Sequence, residues 1–120
     1  MKTFVSWAGF EADVDHLVKQ IKYSGKEYNG VFGIPRGGLI LAVRLSHKLN
    51  IPMLLGGLTE KSLCVDDIAD SGNALRPYME RTKCDVMTLF RSKHCTLNPT
   101  LWVHDSENWV VFPWERNDVA

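Results

Sequence analysis

The sequence lacks long apolar runs, an excess of charge of either sign and any paired pattern of cysteines. No apolar run approaches the roughly 18 residues that a membrane-spanning helix needs. Fourteen basic and fourteen acidic residues give a net charge of zero, which argues against a domain built to hold nucleic acid by charge. The three cysteines are odd in number and form no CxxC motif, which is typical of reduced intracellular thiols.

The first sixteen residues contain acidic side chains and no apolar core of a signal peptide, so we expect a cytoplasmic protein with no membrane association. A length of 120 residues predicts one domain, 1–120, which is long enough to bury a core without disulfides or metals. The apolar content of 45% and charged content of 23% are ordinary for a globular protein.

Apolar strands alternate with segments of helical periodicity along the chain. The predicted strands are 30–34, 51–57, 61–67, 85–90 and 100–105, and the predicted helices are 11–25, 35–50 and 71–83, followed by an aromatic tail at 108–115. Because the strands are apolar throughout, they indicate a mostly parallel sheet that is covered by helices on both faces. The fold class is therefore α/β, a single domain with about five strands, and ligands are expected at the carboxyl ends of the strands.

Three aspartates fall within five residues where a buried strand should end, in the stretch CVDDIADSGNAL at 64–75. An acidic turn that only caps a helix is the simplest interpretation. However, a helix start with a small Ser-Gly loop also offers free backbone N–H groups to a phosphate. Adjacent carboxylates can hold Mg²⁺ or accept hydrogen bonds from a ribose diol. Together these features indicate a ribose 5-phosphate ligand.

The segment 65–74 resembles the phosphoribosyl pyrophosphate signature of type I phosphoribosyltransferases: an apolar strand, two acids, two mostly apolar residues, Asp, Ser or Thr, and Gly. The segment 31–52 resembles the first strand, pyrophosphate loop and following helix of that family. The segments 87–93 and 107–115 resemble the base-binding strand and tail of its xanthine, guanine and hypoxanthine branch. The resemblance covers nearly all of 30–116 in the right order.

The resemblance implies a phosphoribosyl group moved from phosphoribosyl pyrophosphate to a 6-oxopurine with Mg²⁺, as in purine salvage, and a homodimer or higher homo-oligomer. Asp70 would be the catalytic carboxylate near the base, and Asp66 and Asp67 would face the ribose hydroxyls and the metal. The implied contacts to phosphoribosyl pyrophosphate are Arg36, Gly37, Gly38, Asp66, Asp67, Ala69, Asp70, Ser71, Gly72, Asn73 and Ala74.

The purine would be bound by residues of the last third of the chain. Lys93 would meet the 6-oxo group, although Arg91 competes with it because Lys93 lies one residue farther from the strand than the family pattern predicts. Trp109 would stack on the ring and the Val110 backbone would read its edge. His94, Cys95 and His104 fit no zinc spacing, so we assign them no metal.

Two departures from the family pattern leave other functions open. Ala74 replaces the usual threonine of the phosphate loop, and the segment 56–62 stands where the family has a long loop that closes over the site. A sensor or regulator that binds nucleotide or phosphoribosyl pyrophosphate without catalysis is therefore the alternative. An enzyme that acts on a finished nucleotide or another sugar phosphate is a third possibility. We propose Lys61, or a neighbouring subunit, as a substitute for the missing loop.

Overall fold

The computed structural model describes residues 1–115; the last five residues of the predicted domain, 116–120, lie outside them. Its elements are β1 (Lys2–Phe4), α1 (Trp7–Ser24), β2 (Val31–Gly33), α2 (Gly37–Leu49), β3 (Leu63–Ala69), a π-helix (Tyr78–Thr82), β4 (Asp85–Ser92), β5 (Leu101–Ser106), β6 (Trp109–Val111) and a 3₁₀ turn (Pro113–Glu115). Within residues 1–115, no helix is long and apolar enough to cross a membrane.

Four strands form one sheet in the order β2-β3-β4-β5, and β1 pairs with β6 in a second, two-stranded sheet. Every pairing is parallel. The prediction of a single α/β domain with a mostly parallel sheet is confirmed. All carboxyl ends of the larger sheet consequently meet at one edge, and this edge carries the acidic stretch.

Both α-helices pack on the same face of the larger sheet. α1 begins at Ser6, whose hydroxyl accepts from the Gly9 amide at 3.0 Å, and ends at Gly25 in the left-handed conformation. The main core lies between these helices and the sheet, and its fully buried members include Leu17, Leu41 and Leu89. This packing fixes β2 and β3 relative to α2, which starts in the loop that holds Arg36.

The other face of the sheet differs from the prediction. A second apolar cluster around Leu75, Cys64 and Val86 is covered by loops and the five-residue π-helix rather than by a helix over 71–83. One turn forms where the amides of Leu75 and Arg76 donate to the Gly72 carbonyl. Pro77 then has no N–H to continue the ladder, so the regular helix cannot propagate.

The predicted strand 51–57 is also shorter than expected. Only Met53 forms a bridge, with Val31 at the beginning of β2. The Leu54 amide donates to the Val31 carbonyl at 2.8 Å, and the chain then turns away. It re-enters the sheet at Leu63, which pairs with Val31. Both ends of the segment 53–62 therefore lie at the amino end of the sheet.

Candidate functional site

The loop between β2 and α2 presses against the end of β3 because it is built from glycine. A Cβ on Gly38 would lie 2.5 Å from the Val65 carbonyl oxygen, and a Cβ on Gly37 would overlap the Asp67 carboxylate. The Gly38 amide donates to the Ile34 carbonyl at 2.9 Å, and the Pro35–Arg36 peptide bond is cis. This packing brings the predicted pyrophosphate loop to the predicted ribose carboxylates.

Asp66 and Asp67 lie near the carboxyl end of β3 and are only partly exposed. Oδ1 of Asp66 accepts from the Asp67 amide, and Oδ1 of Asp67 accepts from the Ile68 amide, both at 2.8 Å. Burial and the charge of Asp67 raise the pKa of Asp66 to about 8. Burial also raises the pKa of Asp67, and hydrogen bonds from Asp66 and the Ile68 amide limit that rise. The pair therefore shares a proton near neutral pH.

A bound cation or sugar diol would complete this pair. In the described part of the chain, neither carboxylate forms a salt bridge with a basic side chain. No group of three or more potential metal-binding side chains is present in residues 1–115. Mg²⁺ is commonly held by one or two carboxylates plus substrate phosphates and waters, so two carboxylates suit a metal that arrives with a phosphorylated substrate.

The predicted phosphate loop follows directly. Asp70, Ser71, Asn73 and Ala74 are exposed, whereas Gly72 is buried with φ of 96°. The Asn73 amide donates to Oγ of Ser71 at 3.2 Å. The amides of Gly72 and Ala74 have no protein acceptor among residues 1–115. The loop therefore presents free donors at the sheet edge, which is the chemistry that a phosphate requires.

Ala69 is the last residue of β3, and its side chain is 1% exposed within the second apolar cluster. Only its main chain could touch a ligand. Arg36 is exposed. It lines a cavity of about 710 Å³ with Gly37, Ile40, Trp114 and Glu115.

A neighbouring cavity of about 390 Å³ joins the acidic stretch to the aromatic tail. Its lining residues are Asp67, Ile68, Asp70, Ser92, His94, Glu107, Asn108, Trp109, Val110, Phe112 and Glu115. Trp109 is 69% exposed at this cavity, while Val110 is buried in β6. Both residues predicted at the base therefore line the same cavity as Asp70. The cavity's exposed indole ring suits a planar aromatic ligand.

The two basic residues that competed for the base lie outside this lining. Lys93 forms an exposed ion pair with Glu107, with 2.8 Å between Nζ and Oε1. Arg91 donates to the Cys95 carbonyl at 3.1 Å and lies over the Trp102 ring at 5.4 Å. Glu107, the partner of Lys93, lines the cavity, whereas Lys93 and Arg91 do not. Their contact with a base stays a prediction.

Several cavity residues were absent from the sequence prediction. His94 forms a 2.9 Å contact between its Nε2 and Oδ1 of Asp70. Glu115 lines both cavities, and its carboxylate accepts from the Phe112 amide at 3.0 Å. The family-like tail pattern, which ends at Glu115, could have suggested the glutamate. Nothing in the local sequence points to His94.

Lys61 cannot replace the missing loop within one chain. Its carbonyl accepts from the Asn29 amide and its amide donates to Oγ1 of Thr59 at 3.1 Å, which holds it before the first residue of β3. Lys61 therefore lies beyond the amino end of β3, whereas the acidic pair lies near its carboxyl end. The proposal that Lys61 substitutes for the loop is therefore wrong for this subunit.

Comparison with known proteins supports this geometry. No family model matches the chain. The xanthine-guanine phosphoribosyltransferase of Idiomarina loihiensis is 25% identical, over 95% of this chain and 87% of that protein. The xanthine-guanine phosphoribosyltransferase of Chromohalobacter salexigens is 26% identical, over 92% of this chain and 82% of that protein. The crystal structure of a purine phosphoribosyltransferase from Pyrococcus horikoshii superposes with a TM-score of 0.84 and 28% identity, covering 99% of this chain and 97% of that one.

The fold is the one found in these phosphoribosyltransferases, and the chain is similar to them along nearly its whole length. Within that class, the names of the curated relatives confirm the resemblance to the 6-oxopurine branch.

Proposed function

We propose that this protein transfers a 5-phosphoribosyl group from phosphoribosyl pyrophosphate to a 6-oxopurine and releases pyrophosphate. The observation that carries the proposal is the placement of Asp66, Asp67 and Asp70 along one strand end, beside a cavity walled by Trp109 and Val110. The names and high coverage of the relatives support the same reaction.

Different predicted residues would bind different parts of phosphoribosyl pyrophosphate. The loop Asp70–Ala74 would hold the 5′-phosphate through its free amides, and Arg36 would hold the pyrophosphate from the second cavity. Asp66 and Asp67 would orient the ribose hydroxyls. Mg²⁺, when bound with the substrate at these two carboxylates, would neutralise charge on the departing pyrophosphate.

Asp70 would act on the base. Positive charge develops at the anomeric carbon as its bond to pyrophosphate breaks, and the purine nitrogen forms the new bond there. The carboxylate of Asp70 accepts the proton that the base loses, and general-base help of this kind is worth about 10²–10⁴-fold in rate. Trp109 would stack on the purine and the Val110 main chain would read its edge, with Lys93 as the proposed contact of the 6-oxo group.

A product assay tests the proposal. The protein is incubated with phosphoribosyl pyrophosphate, Mg²⁺ and, in turn, guanine, xanthine, hypoxanthine, adenine, orotate and uracil, and nucleoside monophosphates are separated by chromatography. We expect a 6-oxopurine monophosphate from the wild type and at least 100-fold less from Asp70→Asn. Asp15→Asn is the matched control, because Asp15 pairs with Lys48 on the helical face. No product from any base would contradict the transferase.

A nucleotide sensor is the second candidate, and the position of the segment 53–62 favours it. Both ends of that segment lie at the amino end of the sheet, far from the carboxyl end where a lid would close. A lid excludes water and completes the site in enzymes that use one. Calorimetry that detects phosphoribosyl pyrophosphate or nucleotide binding without turnover would support the sensor.

The remaining features stay proposals with direct tests. Light scattering would measure the homodimer or higher oligomer, in which a partner could cover the open site. Fractionation would test the cytoplasmic location. Titration of turnover with Mg²⁺ after chelation would test the metal. Limited proteolysis would test whether 1–120 behaves as one domain.

A further inference from the structure

His94 lies in a tight turn directly after β4. The turn closes through a hydrogen bond from the Cys95 amide to the Ser92 carbonyl at 3.0 Å, so Lys93 and His94 occupy its two central positions. Cys95 is 5% exposed, and Arg91 donates to its carbonyl at 3.1 Å. The turn is therefore anchored on both sides of His94, which itself stays exposed to the cavity.

This turn is held against the predicted phosphate loop. The Thr96 amide donates to the Ser71 carbonyl at 3.4 Å. A Cβ on Gly72 would lie 2.9 Å from Cβ of Leu97 and 3.3 Å from Sγ of Cys95, so the absence of a side chain allows the two segments to touch. Docking of the turn on this loop is what brings His94 beside Asp70, 24 positions earlier in the chain.

In the hydrogen bond between His94 and Asp70, the histidine is the donor. Nε2 of His94 lies 2.9 Å from Oδ1 of Asp70. An ionised carboxylate can only accept a hydrogen bond, so Nε2 carries the proton. The Ser92 hydroxyl lies 2.8 Å from Nδ1 and 3.3 Å from Nε2, against the edge of the ring. Lys93 instead pairs with Glu107, which leaves His94 as the cation-capable side chain at Asp70 in the described part of the chain.

We propose that His94 is a positioning residue for Asp70, a role that rests on the proposed transferase function. Its Nε2–H holds Oδ1, which leaves Oδ2 directed to the base. In the transfer step the purine N–H proton moves to Oδ2, and the electron pair of that N–H bond stays in the ring. The nucleophilic purine nitrogen bonds to the anomeric carbon, and the electron pair of the broken C–O bond departs with pyrophosphate.

A double-mutant cycle tests this role, because two residues that act as a unit show non-additive effects. We expect His94→Ala to lower kcat about tenfold, the loss typical of one hydrogen bond to a charged group, with KM for phosphoribosyl pyrophosphate unchanged. His94→Gln places an amide N–H within reach of Oδ1 and should restore most of the rate. In an Asp70→Asn background, His94→Ala should cause no further loss. His16→Ala, an exposed helical histidine, is the matched control.

The outcomes separate the two proposals. If the wild type forms no nucleotide, the transferase proposal and this role for His94 fall together. If the wild type turns over and His94→Ala matches it, the His94 proposal alone is overturned. An equal loss from His94→Ala with and without Asp70 would also overturn it, since the histidine would then act independently. A raised KM with unchanged kcat would make His94 a binding contact instead and overturn the positioning role.

Discussion

Carboxylates lie at opposite ends of the paired strands β3 and β4, and their surroundings differ. Asp85 begins β4 at the amino end, where Lys26 Nζ lies 2.8 Å and the Tyr28 hydroxyl 2.6 Å from its Oδ2. Burial opposes its ionisation, but these hydrogen bonds outweigh burial, and the pKa of Asp85 lies below its ordinary value. At the carboxyl end, the pKa values of Asp66 and Asp67 are raised.

The difference fits the proposed function, in which the carboxyl end of the sheet binds the ligand. A partly buried carboxylate that accepts hydrogen bonds from two donors stabilises the folded state, whereas two adjacent carboxylates without a cation destabilise it. Under the proposed function, a bound cation or ribose diol would supply the partner that Asp66 and Asp67 lack. Perturbed pKa values in a cleft are typical of functional sites.

The largest effect should come from removing charge at the carboxyl end. We expect Asp66→Asn and Asp67→Asn each to lower turnover at least 100-fold, because the transition state loses a negative partner for its developing cation and metal. The free energy of unfolding should stay unchanged or rise, since the like-charge repulsion is relieved. Steady-state kinetics and thermal unfolding measure the two quantities on the same samples. A variant that lost activity by unfolding would contradict the comparison.

The reverse pattern is expected at the amino end. Asp85→Asn should lower the free energy of unfolding by about 1–3 kcal/mol, because the half-buried Tyr28 hydroxyl and Lys26 lose their charged acceptor. Turnover per folded molecule should not change. Urea denaturation measures the free energy of unfolding, and a separate assay of the folded protein at saturating substrate measures turnover. The matched control is Asp15→Asn, whose exposed ion pair with Lys48 is worth less than about 1 kcal/mol.

Restoring a hydroxyl in the phosphate loop should strengthen the binding of phosphoribosyl pyrophosphate at the carboxyl end of the sheet. Ala74 is exposed, so Ala74→Thr fits without displacing the core. A new hydrogen bond to a charged phosphate should lower KM for phosphoribosyl pyrophosphate by up to about tenfold. Ala74→Val has nearly the same shape without the hydroxyl and is the control. An equal change in both variants would show that bulk, rather than a hydrogen bond, is responsible.

Sequence periodicity and the acidic motif were sufficient to predict the parts of the site that depend on residues close together in the chain. The glycine loop at Gly37 and Gly38 and the helix after it lie where predicted. The strand that carries Asp66 and Asp67 is also present, but it runs from Leu63 to Ala69 instead of ending at Asp67. These features follow from patterns within a few residues, namely an apolar run, a turn and a helical repeat. The helix expected over 71–83 failed for an equally local reason, the missing N–H of Pro77.

The contacts that sequence reasoning missed depend on tertiary docking. His94 reaches Asp70 because Gly72 lets the 95–97 segment pack on the phosphate loop, a relation that no spacing along the chain encodes. Lys61 was placed near the site because the family loop starts there. The chain instead leaves the sheet after Met53 and returns to the amino end. Distances between segments, not residue types, were the missing information.

The smallest effect is a pair of opposite pH dependences in thermal stability. In the folded protein the pKa of Asp66 is about 8, above its unfolded value near 4. Between these values the folded state binds more protons than the unfolded state. The stabilising contribution of Asp66 is therefore fully present in acid and is lost as the pH rises through 8. Asp85 has a lowered pKa, so its contribution is present above pH 4 and is lost as the pH falls.

Melting temperatures of the substrate-free protein from pH 4 to 9 would resolve the two contributions. We expect Asp66→Asn to gain a few degrees over the wild type, with the gain largest near pH 9 and absent near pH 4. Asp85→Asn should show its largest loss above pH 5 and converge with the wild type in acid. Phosphoribosyl pyrophosphate with Mg²⁺ should flatten the alkaline limb of the wild type. If Asp66→Asn raised the melting temperature equally at every pH, ionisation of the acidic pair would not be what destabilises this end of the sheet.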